Sequence, residues 1–365
     1  MVLSALANFA GTRAAAAASG ETKTKQAQPA PPLSFRSSVS WGWDSNVREA
    51  MEAAQVHDDS FYRLHGDLTS RQFRAAGFLL SGRFQGLFER YVRYDTESRL
   101  LGEGEAAIDR PVGDASFWAR ARWEGRAYPD SGKRDFHTDL LILGTTVPFR
   151  GGRLSFSGVR EGIDYGRTGP FDRRANGFAG VFRRSFHRRL DGSIGFDFDW
   201  SRYGRPAIRI EPSGPLAVGH QRDRARAARL TARYLRGFLY ETELVWESVR
   251  SNSFGYSVGR RSATVSVTGW LPASVLFQVR GRLESVDYHD TGLDRVFVFG
   301  TGEAQDRGED NNVLALRARR ALLRNLALEG RLSWYRNESL LLGSYYRKRA
   351  ASIGLTWIPI GSSDF

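Results

Sequence analysis

The chain has 365 residues, a formal net charge of +13 and no cysteine, so neither a disulfide nor a cysteine-ligated zinc can stabilise it. It contains no run of about eighteen apolar residues, which excludes a helical membrane span. Mean hydropathy is negative, but a membrane-spanning strand turns only every second side chain to lipid and keeps the average polar. Only four of the 53 basic residues are lysine. A surface this basic suits nucleic acid, anionic lipid or anionic solutes.

Residues 1–32 precede the periodic part of the chain. Met1–Ser19 is small and apolar, and Ala14–Ala18 resembles a signal-peptidase region, although Arg13 interrupts the stretch and no basic residue precedes it. Gly20–Pro32 is polar and proline-rich, as flexible linkers are. We therefore expect a signal-like segment and linker over 1–32 and one β domain over 33–365.

From Leu33 onward, apolar and polar residues alternate over stretches of about ten to fifteen residues, and a period of two predicts β-strands. Strands in soluble proteins average about five to six residues, whereas a tilted membrane-spanning strand needs about nine to eleven. In chain order we predict sixteen strands over Leu33–Val47, Phe61–Gln72, Gly77–Tyr91, Arg99–Arg110, Ala115–Ala127, Phe136–Val147, Arg153–Tyr165, Arg173–Phe186, Leu190–Tyr203, Arg224–Leu235, Phe238–Arg250, Ser257–Trp270, Ser274–Tyr288, Asn312–Leu323, Leu326–Arg336 and Ser344–Ile358.

The connectors between these strands alternate between short and long. The short ones have two to four residues, and the long ones include Arg48–Ser60, Tyr128–Asp135, Gly204–Asp223 and His289–Asn311. Short periplasmic turns and longer outer loops are typical of outer-membrane barrels. The pattern therefore predicts an all-β protein, a transmembrane antiparallel up-and-down β-barrel of about sixteen strands. Such a barrel is too wide for side chains to fill, so we expect an aqueous channel.

Each strand has an apolar and a charged face. In Phe117–Ala127, for example, Phe117 and Trp123 alternate with Arg120 and Glu124. Period alone does not separate a soluble sandwich from a membrane barrel, but strand length and number favour the barrel. Aromatic residues at the strand ends predict two headgroup-level girdles. They are Trp43, Tyr62, Tyr91, Tyr128, Tyr165, Tyr203, Tyr288, Tyr335 and Tyr345 toward the long loops, and Phe149, Phe186, Phe238, Trp270 and Trp357 toward the short turns.

The charged face supplies the candidate functional residues. We predict that the pore is lined by Arg120, Arg122, Glu124, Arg126, Asp197, Asp199, Arg229, Arg233, Glu241, Glu243, Arg280, Arg282, Glu329 and Arg331. Rings of arginine favour anions. The alternative is that these charges pair across neighbouring strands and stiffen the wall, and both hypotheses stay open.

The two terminal strands resemble those of a known group. Ser38–Val47 reads Ser-Val-Ser-Trp-Gly-Trp-Asp-Ser-Asn-Val and resembles the opening strand of barrels associated with exopolysaccharide export. Arg349–Trp357 resembles the closing strand of the same group, and Trp357 or the terminal Phe365 resembles the aromatic mark read by the barrel-insertion machinery. Over residues 33–365 the chain thus resembles porin-like bacterial outer-membrane β-barrel proteins, which implies that it lies in the bacterial outer membrane.

No catalytic or metal-binding pattern stands out. The six histidines are scattered without metal-ligand spacing, so we predict no enzyme, metal or cofactor. The leading hypothesis is a channel for polar or anionic molecules, including an exopolysaccharide export pore. The alternatives are a structural barrel plugged by its long loops, a lipid-active or proteolytic outer-membrane enzyme, and a soluble basic β protein that binds nucleic acid, which the long strands disfavour.

The partners that this hypothesis implies are outer-membrane lipid and a polar or anionic solute or polysaccharide, with no nucleic acid. Whether a periplasmic partner protein docks on the short turns stays open.

Overall fold

The computed structural model describes residues 33–47, 56–70, 72–129, 135–166, 169–289, 312–338 and 345–357. Three of the sequence-based expectations lie outside the described residues: the signal-like segment and linker over 1–32, the interior of the loop at 290–311, and the terminal Phe365.

The described chain is built from strands. They are β1 (Leu33–Asp44), β2 (Asp59–Ser70), β3 (Phe73–Ala75), β4 (Phe78–Tyr91), β5 (Arg99–Val112), β6 (Ala115–Ala127), β7 (Phe136–Phe149), β8 (Gly152–Asp164), β9 (Arg173–His187), β10 (Leu190–Glu211), β11 (Gly214–Arg236), β12 (Phe238–Ser251), β13 (Val258–Leu271), β14 (Val275–Tyr288), β15 (Asn312–Leu323), β16 (Leu326–Glu338) and β17 (Tyr345–Trp357). The short β3 continues β2 along β4, so these segments make sixteen barrel strands.

The sheet closes on itself. Consecutive barrel strands pair in antiparallel fashion, and β1 pairs with both β2 and β17, where Ser37 faces Trp357 and Asp44 faces Ala350. Among the described residues, closure gives every barrel strand a partner on both sides, as a sheet surrounded by lipid requires because lipid offers no hydrogen-bond partner. The prediction of an up-and-down barrel of about sixteen strands is confirmed, and boundaries agree within three residues except where β10 and β11 meet.

The apolar face is the outer face of the barrel. Phe196, Trp246 and Leu332 are 60%, 46% and 44% exposed although they are large and apolar. The described strands form a single closed sheet, with no second sheet among them to cover these side chains, so the soluble alternative is wrong. An apolar belt on this scale is stable against acyl chains and not against water. The protein is therefore an integral β-barrel of the bacterial outer-membrane type.

Tight turns make the short connections on one side of the barrel. Gly113 and Gly237 have φ values of 57° and 72°, in the left-handed region that a residue without Cβ enters at little cost. Each therefore lets the chain reverse between two strands within a few residues.

One predicted loop is a strand pair. Gly204–Asp223 was expected to be irregular, but β10 and β11 continue through it to a turn at Pro212 and Ser213. The glycines and prolines of the segment are local turn signals. The structure accommodates Pro206, which has no N–H to donate, at an irregularity in the register between Arg202 and Ile208.

The aromatic girdle is correct at one end of the barrel and largely wrong at the other. Phe149, Phe186 and Trp357 are 44%, 64% and 41% exposed near the short turns, as predicted. Toward the long loops, Trp43 and Tyr62 are exposed on the outer face. Five of the other tyrosines named for this girdle have side chains among those that the structure describes, and these five do not extend it.

These tyrosines turn toward the lumen. Tyr91 is 5% exposed and donates to the Asp44 carboxylate. Tyr203 and Tyr335 occupy inward-facing positions, because each directly follows an outward-facing residue in its strand. Tyr128 is buried and Tyr165 packs against Phe136. Side chains alternate between the two faces at every residue. A one-residue error at the end of a strand therefore assigns a lumen-facing side chain to the lipid side.

Candidate functional site: the inner wall of the barrel

The structure places all fourteen predicted wall residues on the inner face. Arg122, for example, alternates with Trp123, which is 43% exposed on the outside, and Arg331 alternates with the outward Leu332. The fourteen residues lie in β6, β10, β11, β12, β14 and β16. Their role in permeation stays a prediction.

Several of these charges pair across strands. The Arg229 guanidinium lies 4.0 Å from the Asp197 carboxylate on β10 and 3.7 Å from that of Glu243 on β12. Arg122 lies 3.2 Å from Glu103 and 3.5 Å from Glu124. Charges that neutralise one another inside the wall add rigidity and contribute little net field to the lumen.

A second paired cluster was missed in the sequence. Arg173 Nη1 donates to Glu161 Oε2 at 2.5 Å, and Arg173 Nη2 lies 3.6 Å from Asp199 Oδ2. All three side chains are nearly buried. The inward alternation of β8 and β9 would have revealed Glu161 and Arg173, but only the register of the strands shows that they meet.

A network of ion pairs lies on the inner wall near the junction of β1 and β17, which we call the seam. Glu89 has no exposed side-chain surface, forms an ion pair with Arg63, and lies 2.8 Å from the Arg99 guanidinium. The Asp44 carboxylate accepts from Tyr91 Oη at 3.2 Å and pairs with Lys348 Nζ at 3.0 Å. Buried charges of both signs thus connect the first strands to the last.

The Asp-Ser-Asn-Val stretch fastens this seam. Asn46 N donates to Asp44 Oδ1 at 3.0 Å and shapes the turn after β1. Ser45 N donates to the Arg349 carbonyl at 2.9 Å, and Arg349 N donates to Ser45 Oγ at 2.8 Å. Asn46 Nδ2 donates to the Arg347 carbonyl at 3.4 Å. The residues that carried the sequence resemblance therefore join the two ends of the barrel domain.

Near the long-loop end, an aromatic cage holds Arg205. Its guanidinium carbon lies 4.3 Å from the ring centroid of Tyr256, 5.1 Å from Tyr203 and 5.3 Å from Phe171. Its Nε donates to Gln221 Oε1 at 2.7 Å. These contacts join the extended β10–β11 hairpin to the connections after β8 and β12.

One inner region is apolar. Leu140, Ile142 and Val159 are buried together with Trp118 against them, and Trp118 Nε1 donates to Thr146 Oγ1 at 3.2 Å. Sequence reasoning assigned the β7 region one apolar face. The four consecutive apolar residues Leu140–Leu143 were the signal that both faces are apolar.

The inner face of β14–β16 is basic. Its charged side chains are Arg280, Arg282, Glu284, Arg317, Arg319, Glu329 and Arg331. Arg282 and Arg317 are paired with Glu284 and Glu329 at 2.5 and 2.6 Å. Among the described residues, no carboxylate lies within 4.0 Å of the guanidinium groups of Arg280 and Arg331, and both side chains are exposed. This basic sector therefore presents net positive charge to the lumen.

Within the described part of the chain, no helix is long and apolar enough to cross a membrane. The same residues contain no group of three or more histidine, cysteine, aspartate or glutamate side chains placed to hold a metal ion.

Comparison with known proteins finds similarity to solved outer-membrane structures at low sequence identity. No protein-family model and no curated protein matches the chain. Among solved structures, Pseudomonas aeruginosa OccK2 (OpdF) is 11% identical with a TM-score of 0.45, covering 90% of this chain and 98% of that one. Acinetobacter baumannii OccAB3 is 9% identical with a TM-score of 0.44, covering 90% and 99%. A bacterial polysaccharide outer-membrane secretin is 9% identical with a TM-score of 0.42, covering 88% and 97%. Likenesses this low say nothing about substrate.

Proposed function

We propose that the barrel is an outer-membrane channel that passes polar solutes and favours anions. The observation that carries this proposal is the basic sector of the inner wall, with Arg280 and Arg331 exposed to the lumen. A sixteen-strand barrel is too wide for side chains to close, so charges on its inner face act on whatever enters. Where charges are paired, as around Arg229, they contribute little to this selectivity.

The physical basis is electrostatic. An anion in the channel loses part of its hydration in a pore of low-dielectric walls, and a nearby guanidinium compensates for that loss. A cation at the same place meets repulsion. Selectivity should therefore fall when the exposed arginines are neutralised, while pore width and total conductance change little.

Planar-bilayer recording tests the proposal. In a salt gradient, the parent protein should give a reversal potential of the sign for anion preference. The variant R280Q/R331Q should lower the anion-to-cation permeability ratio at least twofold. A matched control, R110Q/R184Q, removes two arginines from the outer face near the short turns and should leave the ratio unchanged. A parent protein without conductance, or equal effects of both double variants, would refute the proposal.

The alternative is a barrel plugged by its long loops, which would not conduct ions. Of the two loops that this alternative needs, Gly204–Asp223 is held as a strand pair, with Phe254 N donating to the Ile208 carbonyl at 2.8 Å. The other, His289–Asn311, lies almost wholly outside the described residues. The conductance measurement therefore decides between the open and the plugged barrel.

Export of an exopolysaccharide is the narrower form of the proposal and rests on the resemblance of β1. Deleting the gene should then reduce surface polysaccharide, and R280Q/R331Q should reduce it less than the deletion. Unchanged surface polysaccharide would leave general solute passage as the function. The enzyme alternative requires a hydrolytic activity that single serine or histidine substitutions abolish.

A further inference from the structure

A group of arginines faces outward, on the lipid side of the barrel. They are Arg174, Arg202, Arg222, Arg224, Arg226 and Arg250, and we call them the outer arginine patch. All six are exposed, and they share the outer face of their strands with Phe178, Phe196, Trp200, Leu230 and Trp246.

Within the patch, arginines on neighbouring strands lie directly opposite one another. Arg202 on β10 lies opposite Arg174 on β9 and opposite Arg222 on β11. Arg224 lies opposite Arg250 on β12. Like charges directly opposite each other destabilise a sheet. Among the described residues, no carboxylate lies within 4.0 Å of any of these six guanidinium groups. The arrangement is thus one that an external anion would stabilise.

The depth of Arg202, which lies between Arg174 and Arg222 in the patch, matches a headgroup zone. From Leu190 to Trp200, ten residue steps of about 3.3 Å span about 33 Å along β10. A strand tilt of about 40° reduces this to about 25 Å of membrane thickness, equal to the apolar band of an outer-membrane barrel. Arg202, the next outward residue, therefore lies just above the acyl chains on the side of the long loops, which face the cell exterior.

An apolar groove crosses the outer surface of β6 to β10, on the short-turn side of Arg174 and Arg202. It has a volume of about 740 Å³ and is walled by Phe117, Leu143, Phe156, Phe178 and Phe196. Gly158 and Gly180 are among the residues that line it. Phe178 and Phe198 stack at 5.3 Å, and the Arg226 guanidinium lies 5.6 Å from the Phe198 ring. The groove and the patch are therefore continuous on one surface.

We propose that this surface binds an outer-leaflet lipid whose headgroup carries two or more phosphates, as lipid A does. The outer arginine patch binds the phosphates through charge-assisted, bidentate hydrogen bonds. The apolar groove takes one acyl chain along the aromatic side chains. Four strands each contribute an arginine, so a headgroup with several phosphates matches the spacing of the patch better than a single phosphate does.

The binding of lipid A to the purified full-length barrel in detergent micelles tests this proposal. The parent should bind diphosphorylated lipid A, and R174Q/R202Q/R222Q should bind it at least tenfold more weakly. R174K/R202K/R222K, which keeps the charge, should retain more than half of the binding free energy that the glutamine variant loses. The control R110Q/R184Q removes charge from the outer face at the opposite end and should stay within twofold of the parent. Equal affinity of the parent and the triple glutamine variant would overturn the proposal.

Two further measurements identify the ligand. Gly158→Leu fills the groove, and because a Cβ there meets no atom within 4 Å the variant should fold normally. It should weaken lipid A binding and leave competition by inorganic phosphate unchanged. Inorganic phosphate that displaces lipid A at equal concentration would instead identify a free-phosphate site and overturn the lipid assignment. Phosphatidylglycerol that binds as tightly as lipid A would overturn the preference for several phosphates.

Conductance separates this inference from the proposed function. The triple glutamine variant should keep the anion preference of the parent channel, because its arginines lie outside the lumen. Migration on unheated gels verifies that each variant forms a closed barrel before binding is measured.

Discussion

The seam between β1 and β17 yields the sharpest prediction. Asp44 is 2% exposed and receives three donors: Tyr91 Oη at 3.2 Å, Lys348 Nζ at 3.0 Å and Asn46 N at 3.0 Å. The substitution Asp44→Ala removes the anion from this cluster of buried donors. It also removes the acceptor that shapes the turn carrying Ser45 and its two hydrogen bonds to Arg349.

The expected loss in the free energy of unfolding is about 3 kcal/mol. Removing one partner of a buried ion pair destabilises by about 3–5 kcal/mol, and a hydrogen bond to a charged group contributes about 1.5–3 kcal/mol. Water entering from the lumen moves the value to the lower end of these ranges. Asp44→Asn keeps an oxygen acceptor for Asn46 N and loses only the charge, so we expect about half the effect.

Urea unfolding in lipid vesicles, followed by the fluorescence of the nine tryptophans, measures this difference. Asp58→Asn is the matched control: Asp58 accepts from Trp43 Nε1 at 3.2 Å at an exposed site, and its loss should change stability by less than about 1 kcal/mol. If Asp44→Ala unfolds within about 0.5 kcal/mol of the parent, the reasoning that the Asp-Ser-Asn-Val stretch fastens the barrel seam is wrong.

Three further predictions follow from the inner wall and its mouth. Arg173→Gln removes the cation from buried Glu161 and should lower the urea midpoint by an amount equivalent to about 3 kcal/mol or more; an unchanged midpoint would contradict the pairing. Arg205→Ala opens the aromatic cage and should speed proteolysis within the β10–β11 hairpin while the barrel stays folded, whereas unchanged cleavage would show that the cage does not hold the hairpin. A Cβ at Gly42 would meet the Ala351 carbonyl at 2.6 Å, while one at Gly281 meets nothing within 4 Å, so Gly42→Ala should refold poorly into vesicles and Gly281→Ala normally.

The wall charges are paired in some sectors of the inner face and unequal in number in others. Arg229 and Arg173 are nearly buried among carboxylates, so their charge is largely compensated within the wall. Arg280 and Arg331 lie in a sector with more arginines than carboxylates. The proposed selectivity and the alternative of a stiffened wall therefore concern different sectors of the inner face.

The strands and their two faces could be read from the sequence alone. Ala115–Ala127 and Asn312–Leu323 were predicted with the bounds that the structure shows. The alternation that placed Arg122 inward and Trp123 outward needs only neighbouring residues, because an extended backbone turns successive side chains to opposite faces. The membership of the inner face is a consequence of that local period, whereas the barrel class followed from the length and number of the strands.

The tertiary structure alone decided which of these residues meet. Ser45 and Arg349 bond across a sequence separation of 304, and nothing local in either segment records the register that joins them. The strand pair through Pro206 was misread for the same reason: pairing with the opposite strand outweighs a local turn signal. Composition and period determine where a strand lies and which side chains share a face, whereas closure of the sheet determines which strands are neighbours. The seam, the caged Arg205 and the outward arginines all arise from neighbours that are distant in sequence.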